Sequence, residues 1–268
     1  MNILILGDIV GPPGRKALKN NLKKIIEEKK IDFTIVNGEN AADDGRGITK
    51  NIVDDFFELG VDVITSGNHI WDKSETTEFI TKEKRLLRPA NLAEGTPGSG
   101  YGVYLTKNQN FKVAVINLMA NVFMRKTEDV FLIAKKIQEK IKLKKEADFI
   151  VVDLHGETTS EKIAMGYFFD GKATMLVGTH THIPTADSRI LDNGTAYQTD
   201  IGMCGDYNSV IGMNKQNSVM KFLKDDKAKK HFPATGEASL SGLIVDADEK
   251  TGLAKSIERF IQGGVLTN

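Results

Sequence analysis

Gly-Thr-His-Thr-His, residues 178–182, directly follows an apolar run at residues 173–177. A short apolar run that ends in such a polar turn is typical of a buried β-strand. A strand that ends in two histidines spaced i, i+2 is expected to place both imidazoles on one side of the chain, where they can reach neighbouring metal ions. The alternative is that His180 and His182 only hydrogen-bond a surface turn, and the rest of the chain has to decide between the two interpretations.

Four earlier apolar runs also end in polar residues of the kinds that bind metal ions. The first three alternate with segments of helical spacing, including residues 15–30 and a helix that we expect to be capped near Thr49. Repeated βα units predict a largely parallel sheet, whose ligands bind beyond the carboxyl ends of the strands. The four runs with their polar ends are residues 3–6 with Asp8, residues 33–37 with Glu39 and Asn40, residues 61–65 with Asn68 and His69, and residues 149–154 with His155.

The character of the sequence changes after Pro89, where a second sheet is expected to begin. Its predicted strands are followed by an amphipathic helix over residues 128–145, and Asn193-Gly194 predicts a hairpin turn. A charged stretch over residues 221–231 is expected to be exposed, and two late strands, at residues 240–246 and 254–260, are expected to close the sheet. Since no linker or repeat divides the chain, we predict one domain over residues 1–268.

Composition excludes several classes of protein. Lys and Arg number 36, as do Asp and Glu, so no overall positive charge indicates binding to nucleic acid or to a membrane. The single Cys204 cannot form an internal disulfide and is expected to be an unreactive, partly buried thiol. The N-terminus lacks the features of a signal peptide. We therefore expect a soluble, cytoplasmic protein with no membrane partner.

The polar residues at the predicted strand ends form a set of oxygen and imidazole donors without a thiolate. Such donors suit divalent ions such as Mn²⁺, Fe²⁺ or Zn²⁺, and the set is too large for one tetrahedral site. Two ions that share a carboxylate can clamp a phosphate and hold a bridging hydroxide, which predicts phosphoester hydrolysis. Singly, each residue could instead be a helix cap or a turn residue. The set comprises Asp8, Glu39, Asn40, Asn68, His69, His155, His180 and His182.

The order of these motifs resembles that of the calcineurin-like metallophosphoesterases. Two departures stand out, because Asp8-Ile9-Val10 lacks the histidine of the usual Asp-x-His motif and the pair Glu39-Asn40 replaces the usual bridging aspartate. In both departures the chain resembles the YmdB-like subfamily. The shared motifs are Gly-Asp-Ile-Val-Gly at residues 7–11, Gly-Glu-Asn-Ala-Ala at 38–42, Gly-x-Gly-Ile-Thr at 45–49 and Thr-Asp-x-Gly-Met at 199–203.

The resemblance implies an α/β fold in which two central mixed sheets are flanked by helices in an α/β/β/α sandwich. It also implies two divalent ions per chain, of Fe, Mn, Zn or Mg, with Glu39 as the bridge between them. One ion would be held by Asp8, Glu39, Asn40 and His182, and the other by Glu39, Asn68, His155 and His180. Asn40 is chemically reasonable as a metal ligand because an amide oxygen is a neutral donor to a hard ion.

His69 follows the ligand Asn68, and the resemblance implies that it faces the substrate and protonates the leaving oxygen. A histidine held by local hydrogen bonds at a helix start is the alternative. Asp72 is as consistent with a helix cap as with orienting His69. Asp153 and Glu157 flank His155 and could accept its outer proton, although exposed loop carboxylates are the interpretation that we favour.

The subfamily resemblance implies a phosphodiesterase that opens 2′,3′-cyclic nucleotides to 3′-nucleotides by attack of a metal-bridging hydroxide. Arg46 and Thr49, in the loop at residues 45–49, could hold a phosphate or ribose, or could form a plain surface turn. Phosphomonoesters or short RNA as substrates remain open, as does a regulatory metal-binding protein with incidental hydrolysis. RNA or its breakdown products and a homo-oligomer are further expectations for partners.

Overall fold

The predicted apolar runs form the strands of two mixed sheets. The computed structural model describes residues 1–266, and within that range it contains twelve strands. They are β1 (Asn2–Ile9), β2 (Phe33–Asn37), β3 (Val63–Thr65), β4 (Tyr101–Leu105), β5 (Lys112–Met119), β6 (Phe149–His155), β7 (Met175–Thr179), β8 (Arg189–Ile190), β9 (Ala196–Gln198), β10 (Met203–Cys204), β11 (Leu240–Ala247) and β12 (Ala254–Gln262).

The first sheet has the strand order β12-β11-β1-β2-β3, and β10 also pairs with β1. Its three βα units are parallel, as predicted, while β11 runs antiparallel to β1. The second sheet has the order β4-β5-β6-β7-β9-β8, with parallel strands from β5 to β9. The hairpin predicted at Asn193-Gly194 joins β8 and β9, and Gly194 has the positive φ, 98°, that such a turn requires.

Helices cover the outer faces of the two sheets, which confirms the predicted α/β/β/α sandwich. Thr49 caps α2 as predicted, because its Oγ1 accepts a hydrogen bond from the Ile52 N–H at 3.5 Å. Within the described residues the helices are α1 (Gly11–Glu28), α2 (Lys50–Leu59), α3 (Thr76–Phe79), α4 (Val130–Lys140), α5 (Thr159–Phe169) and α6 (Lys215–Phe222).

Helix α4 ends five residues before the predicted boundary at Lys145. Ile141 has an extended backbone, and the chain then turns so that Leu143 pairs with Ala147 in an isolated bridge. Helices α5 and α6 have no counterpart in the prediction. Gly166 in α5 lies against the Tyr197 ring, where a Cβ atom would come within 2.7 Å of the ring, so packing rather than helix propensity determines this segment.

Three apolar layers follow from the two-residue alternation along the strands. In β1, Ile3 and Ile5 face the second sheet, whereas Leu4 and Leu6 face the helices. The layer between the sheets contains residues of both sheets, including Val115 of β5. Cys204 is fully buried, and burial raises the pKa of its thiol to about 12. The shared inner layer supports our proposal that the chain is a single domain.

Within residues 1–266, no helix combines the length and the apolar character needed to cross a membrane.

Candidate metal centre

The carboxyl ends of strands from both sheets meet at one edge of the sandwich. The first sheet supplies oxygen donors, and the second sheet supplies imidazoles. All of these side chains are buried or partly buried. The structure brings together, at this edge, Asp8, Glu39, Asn40, Asn68, His155, His180 and His182.

Glu39, His155 and His180 form the centre of the cluster. His155 Nε2 lies 3.1 Å from Glu39 Oε1, 3.1 Å from His180 Nδ1 and 3.0 Å from Asn68 Oδ1. One donor atom from each of Glu39, His155 and His180 lies within 4.8 Å of the other two. A carboxylate and two imidazoles at such distances form a donor set for a divalent cation.

Asn40 and His182 also lie next to Glu39. The Asn40 side-chain amide donates to Glu39 Oε1 at 3.1 Å and lies 3.2 Å from His182 Nε2. The amide nitrogen thus faces the cluster, and an oxygen donor would require a half-turn of this amide, a change that exchanges two atoms of similar size.

Asp8 carries an unsatisfied carboxylate oxygen. Its Oδ2 accepts a hydrogen bond from the His180 N–H at 3.1 Å, but Oδ1 is buried and has no hydrogen-bond partner among the described residues. A buried carboxylate oxygen without a partner is costly. A cation between Asp8 and the histidines would satisfy it, so the residues present fit a metal centre.

The two histidines of the 178–182 stretch do not continue the strand, contrary to the expectation from their i, i+2 spacing. Strand β7 ends at Thr179, and His180 and His182 have left-handed backbones with φ of 103° and 67°. The Thr181 N–H donates to Asp200 Oδ2 at 3.1 Å, and the same oxygen accepts from Lys162 Nζ at 2.8 Å. This buried ion pair holds the turn that directs both imidazoles to the cluster.

Each imidazole also has an acceptor on its outer side. His155 Nδ1 lies 2.9 Å from Thr179 Oγ1, and His182 Nδ1 lies 2.8 Å from the Ile211 carbonyl oxygen. His180 Nε2 lies 3.3 Å from Glu157 Oε2. Such outer acceptors keep the proton on the outer nitrogen, and the inner nitrogen remains available as a ligand.

Asp153 was expected to be an exposed loop carboxylate, and that expectation is wrong. It is fully buried in β6 and accepts hydrogen bonds from Thr65 Oγ1 at 2.5 Å, Thr179 Oγ1 at 2.8 Å and Asn37 Nδ2 at 3.2 Å. Burial raises the pKa of Asp153, against the effect of these bonds. The two-residue spacing of Asp153 and His155 could have predicted this burial, because alternate residues of a strand such as β6 lie on the same face. Glu157 is half exposed, as expected.

Glu39 and His155 shift towards their charged forms. Burial alone raises the pKa of Glu39, but the facing His155 and the His69 N–H outweigh it and bring it to about 2. Burial lowers the pKa of His155, but Glu39, Asp8 and Asp153 raise it to about 9. A metal ion therefore has to displace a proton from His155 when it binds.

Asp8 and His180 shift towards their neutral forms. Burial raises the pKa of Asp8 to about 6, against the opposing effect of His182 and His155. Burial and the charge on His155 lower the pKa of His180 to about 3. A neutral imidazole is the form that binds a metal ion.

His69 borders a cavity of about 260 Å³ that opens onto Glu39, Asn40, His180 and His182. Its backbone N–H donates to Glu39 Oε2 at 3.1 Å, and its Nδ1 lies 2.8 Å from Asp72 Oδ2. Arg46 lines the same cavity with an exposed side chain, whereas Thr49 caps α2 and is not among the lining residues. Asp72 thus contacts His69, as expected of a residue that orients it, whereas the sequence was equally consistent with a helix cap.

The chain is similar to known proteins along nearly its whole length. The model of a family described as "YmdB-like protein" matches residues 4–260. The chain is 43% identical over 261 residues to the 2′,3′-cyclic-nucleotide 2′-phosphodiesterase of Bacillus subtilis, with 97% of each chain covered. A crystal structure of a novel phosphatase from Mycoplasma pneumoniae matches with a TM-score of 0.89 at 34% identity, covering 98% of this chain and 93% of that one. A hypothetical protein from Thermus thermophilus matches with a TM-score of 0.89 at 32% identity, covering 98% and 100%.

Proposed function

This chain belongs to the YmdB-like family, and we propose that it is a metal-dependent phosphodiesterase that hydrolyses 2′,3′-cyclic nucleotides to 3′-nucleotides. The observation that carries the proposal is the position of Glu39, whose Oε1 contacts both His155 Nε2 and the Asn40 amide while its Oε2 accepts a hydrogen bond from the His69 N–H. The similarity to the Bacillus subtilis phosphodiesterase supports the substrate class. The cavity of about 260 Å³ suits a small diester better than a long polymer.

We propose two divalent ions with Glu39 as their common ligand. Asp8, Asn40 and His182 would complete one site, and Asn68, His155 and His180 would complete the other. The oxygen and imidazole donors suit ions of Fe, Mn, Zn or Mg. When bound, such ions activate a water molecule and stabilise charge on the phosphoryl oxygens.

The chain's own contribution to the reaction is a positioned acid. Asp72 accepts a hydrogen bond from Nδ1 of His69, which leaves Nε2 to exchange a proton with the substrate. As a water oxygen bonds to phosphorus and the bond from phosphorus to the 2′ oxygen breaks, Nε2 gives its proton to the departing 2′ oxygen, and the phosphate stays on the 3′ oxygen. General acid catalysis of this kind typically contributes about 10²- to 10⁴-fold to the rate. Arg46 at the cavity rim offers a guanidinium to the phosphate.

The test is turnover of 2′,3′-cyclic AMP by metal-loaded protein. We expect His69→Ala to lower kcat by about 10²-fold or more, because it removes the acid, and Glu39→Ala to remove activity together with metal binding. The exposed Glu58→Ala in α2 is the control and should retain full activity. Unchanged rates in both site variants would refute the assignment. A phosphomonoester and a short RNA, assayed side by side, test the substrate class.

A further inference from the structure

The cavity next to the metal ligands has a second wall that hydrolysis does not explain. This wall comes from the segment around Ile211, from α6 and from the residues that follow α6. Its lining side chains are mostly apolar but include Ser218 and His231, and His231 is the one histidine of the chain outside the metal centre and the acid site. The apolar members are Val210, Ile211, Met213 and Phe222.

Ser218 and His231 each carry a buried polar atom that lacks a hydrogen-bond partner. Ser218 is 1% exposed, and neither its Oγ nor the buried His231 Nδ1 has a partner among the residues that the structure describes. Buried polar groups in proteins are nearly always satisfied, by the protein itself or by a bound molecule. Two unsatisfied groups in side chains that line one cavity therefore indicate a polar ligand in that cavity.

The backbone holds this wall in place. Asn217 in α6 donates to the Lys229 carbonyl oxygen at 3.2 Å and accepts from the Lys229 N–H at 2.7 Å. The Asn214 N–H donates to the Phe232 carbonyl oxygen at 3.0 Å. These bonds fix the segment that carries His231 against α6, the helix that carries Ser218, before any ligand arrives.

The wall is also joined to the metal centre. Ile211 has a φ of 47°, a strained value for a β-branched residue, and its carbonyl oxygen accepts the hydrogen bond of His182 Nδ1. A ligand on the wall therefore lies directly beside the centre that takes the phosphate. Phe222, which is 82% exposed, presents an aromatic ring at the mouth of the cavity.

We propose that this wall is the nucleobase subsite, with the flat faces of the base against Ile211, Met213 and Phe222 and its polar edge against Ser218 and His231. The proposal rests on the proposed function, because it assigns the base of the same cyclic nucleotide. Apolar and aromatic side chains contact the π-face that every base has, while hydroxyl and imidazole groups bond to its edge. Burial and the cations Lys221 and Arg46 lower the pKa of His231, so the neutral ring can donate or accept.

The first test separates recognition of the base from chemistry at phosphorus. Ser218→Ala and His231→Phe each remove one polar contact, and we expect either change to raise KM for 2′,3′-cyclic AMP by about three- to ten-fold, the range of one neutral hydrogen bond. KM for methyl riboside 2′,3′-cyclic phosphate, which has no base, should stay the same. His231→Asn keeps a polar atom near the Nδ1 position and should restore part of the loss.

Ser239→Ala is the matched control, because Ser239 is also buried with an unpartnered Oγ among the described residues but does not line the cavity. It should leave KM unchanged for both substrates. An equal rise in KM for the two substrates, or no rise for either in Ser218→Ala and His231→Phe, would overturn the subsite.

A second test does not depend on turnover. Calorimetric titration of metal-loaded protein with adenosine 3′-phosphate is compared with titration with inorganic phosphate. Weaker binding of the nucleotide alone in Ser218→Ala and His231→Phe supports the subsite, even if cyclic nucleotides are not hydrolysed. Equal affinities of wild type and variants for the nucleotide, or a matching loss for phosphate, would overturn it.

Discussion

Thr179 connects a histidine of the metal centre to a carboxylate that lies beneath it. Its Oγ1 lies 2.9 Å from His155 Nδ1 and donates to Asp153 Oδ1 at 2.8 Å. With its hydroxyl proton committed to Asp153, Thr179 can only accept from His155. This order of donors holds the proton of His155 on Nδ1 and leaves Nε2 for an ion.

Thr179→Val keeps the shape of the side chain but removes this link. We expect the affinity for Mn²⁺, measured by calorimetric titration, to fall by about 10- to 100-fold, the usual effect of losing an outer partner of a ligand histidine. Because Asp153 also loses a donor while it remains buried, the free energy of unfolding should fall by about 1–3 kcal/mol in urea denaturation.

Two variants serve as controls for this prediction. Thr34→Val removes a buried threonine hydroxyl of β2 that has no hydrogen-bond partner in the described part of the chain, so both measurements should stay close to wild type. Thr179→Ser retains the hydroxyl and should recover most of the affinity. Equal affinity in Thr179→Val and wild type would show that the hydroxyl does not control His155.

At the level of elements, Asp187 fastens the segment between β7 and β9. Its carboxylate accepts from Thr185 Oγ1 at 2.6 Å, from Thr199 Oγ1 at 2.5 Å and from the Thr199 N–H at 3.2 Å. Burial acts to raise the pKa of Asp187, but these bonds outweigh it and lower the pKa. The segment that follows His182 is thereby tied to the strand end that carries Asp200.

Asp187→Asn should lower the free energy of unfolding near neutral pH by about 1–2 kcal/mol, since an amide cannot accept all three bonds. A carboxylate whose pKa is lower in the folded state stabilises the protein above its unfolded pKa of about 3.9. That contribution is lost as the pH falls through the folded pKa. The gap between wild type and variant, measured by urea unfolding across this range, should therefore narrow on acidification.

Asp192→Asn is the control for this pH dependence, because Asp192 lies in the exposed turn of the β8–β9 hairpin. It should change stability little at any pH. A gap between wild type and Asp187→Asn that does not vary with pH would mean that the charge on Asp187 contributes nothing.

The elements also show why the sequence predicted some features and missed others. Apolar runs and their polar ends are local patterns, so the strand ends that carry Glu39 and His155 were predictable. The partners of Asp153 are not local, because Asn37 and Thr65 lie 116 and 88 residues away and reach it only when the two sheets pack. The left-handed turn at His180 likewise depends on a contact with Asp200, which no pattern within residues 178–182 reveals.

At the scale of the whole molecule, the metal centre lies on the seam between the two sheets. Oxygen donors come from the first sheet and imidazoles from the second, and the apolar layer between the sheets is shared by both. An ion bound at the centre therefore links the sheets directly. Because we propose that residues 1–268 form one domain, the two sheets should unfold together, in a single calorimetric transition.

Metal binding should raise the temperature of this single transition. Mn²⁺ at about 100 times its Kd stabilises the folded state by about 2.7 kcal/mol, which for a chain of this size corresponds to a rise in Tm of about 5 °C. A chelator should reverse the rise in Tm. Glu39→Gln replaces the carboxylate common to both donor groups with an amide, so its Tm should rise little when Mn²⁺ is added. Two separate transitions would mean that the ion does not link the sheets, and an equal rise in Glu39→Gln would mean that Glu39 is not a ligand of the bound ion.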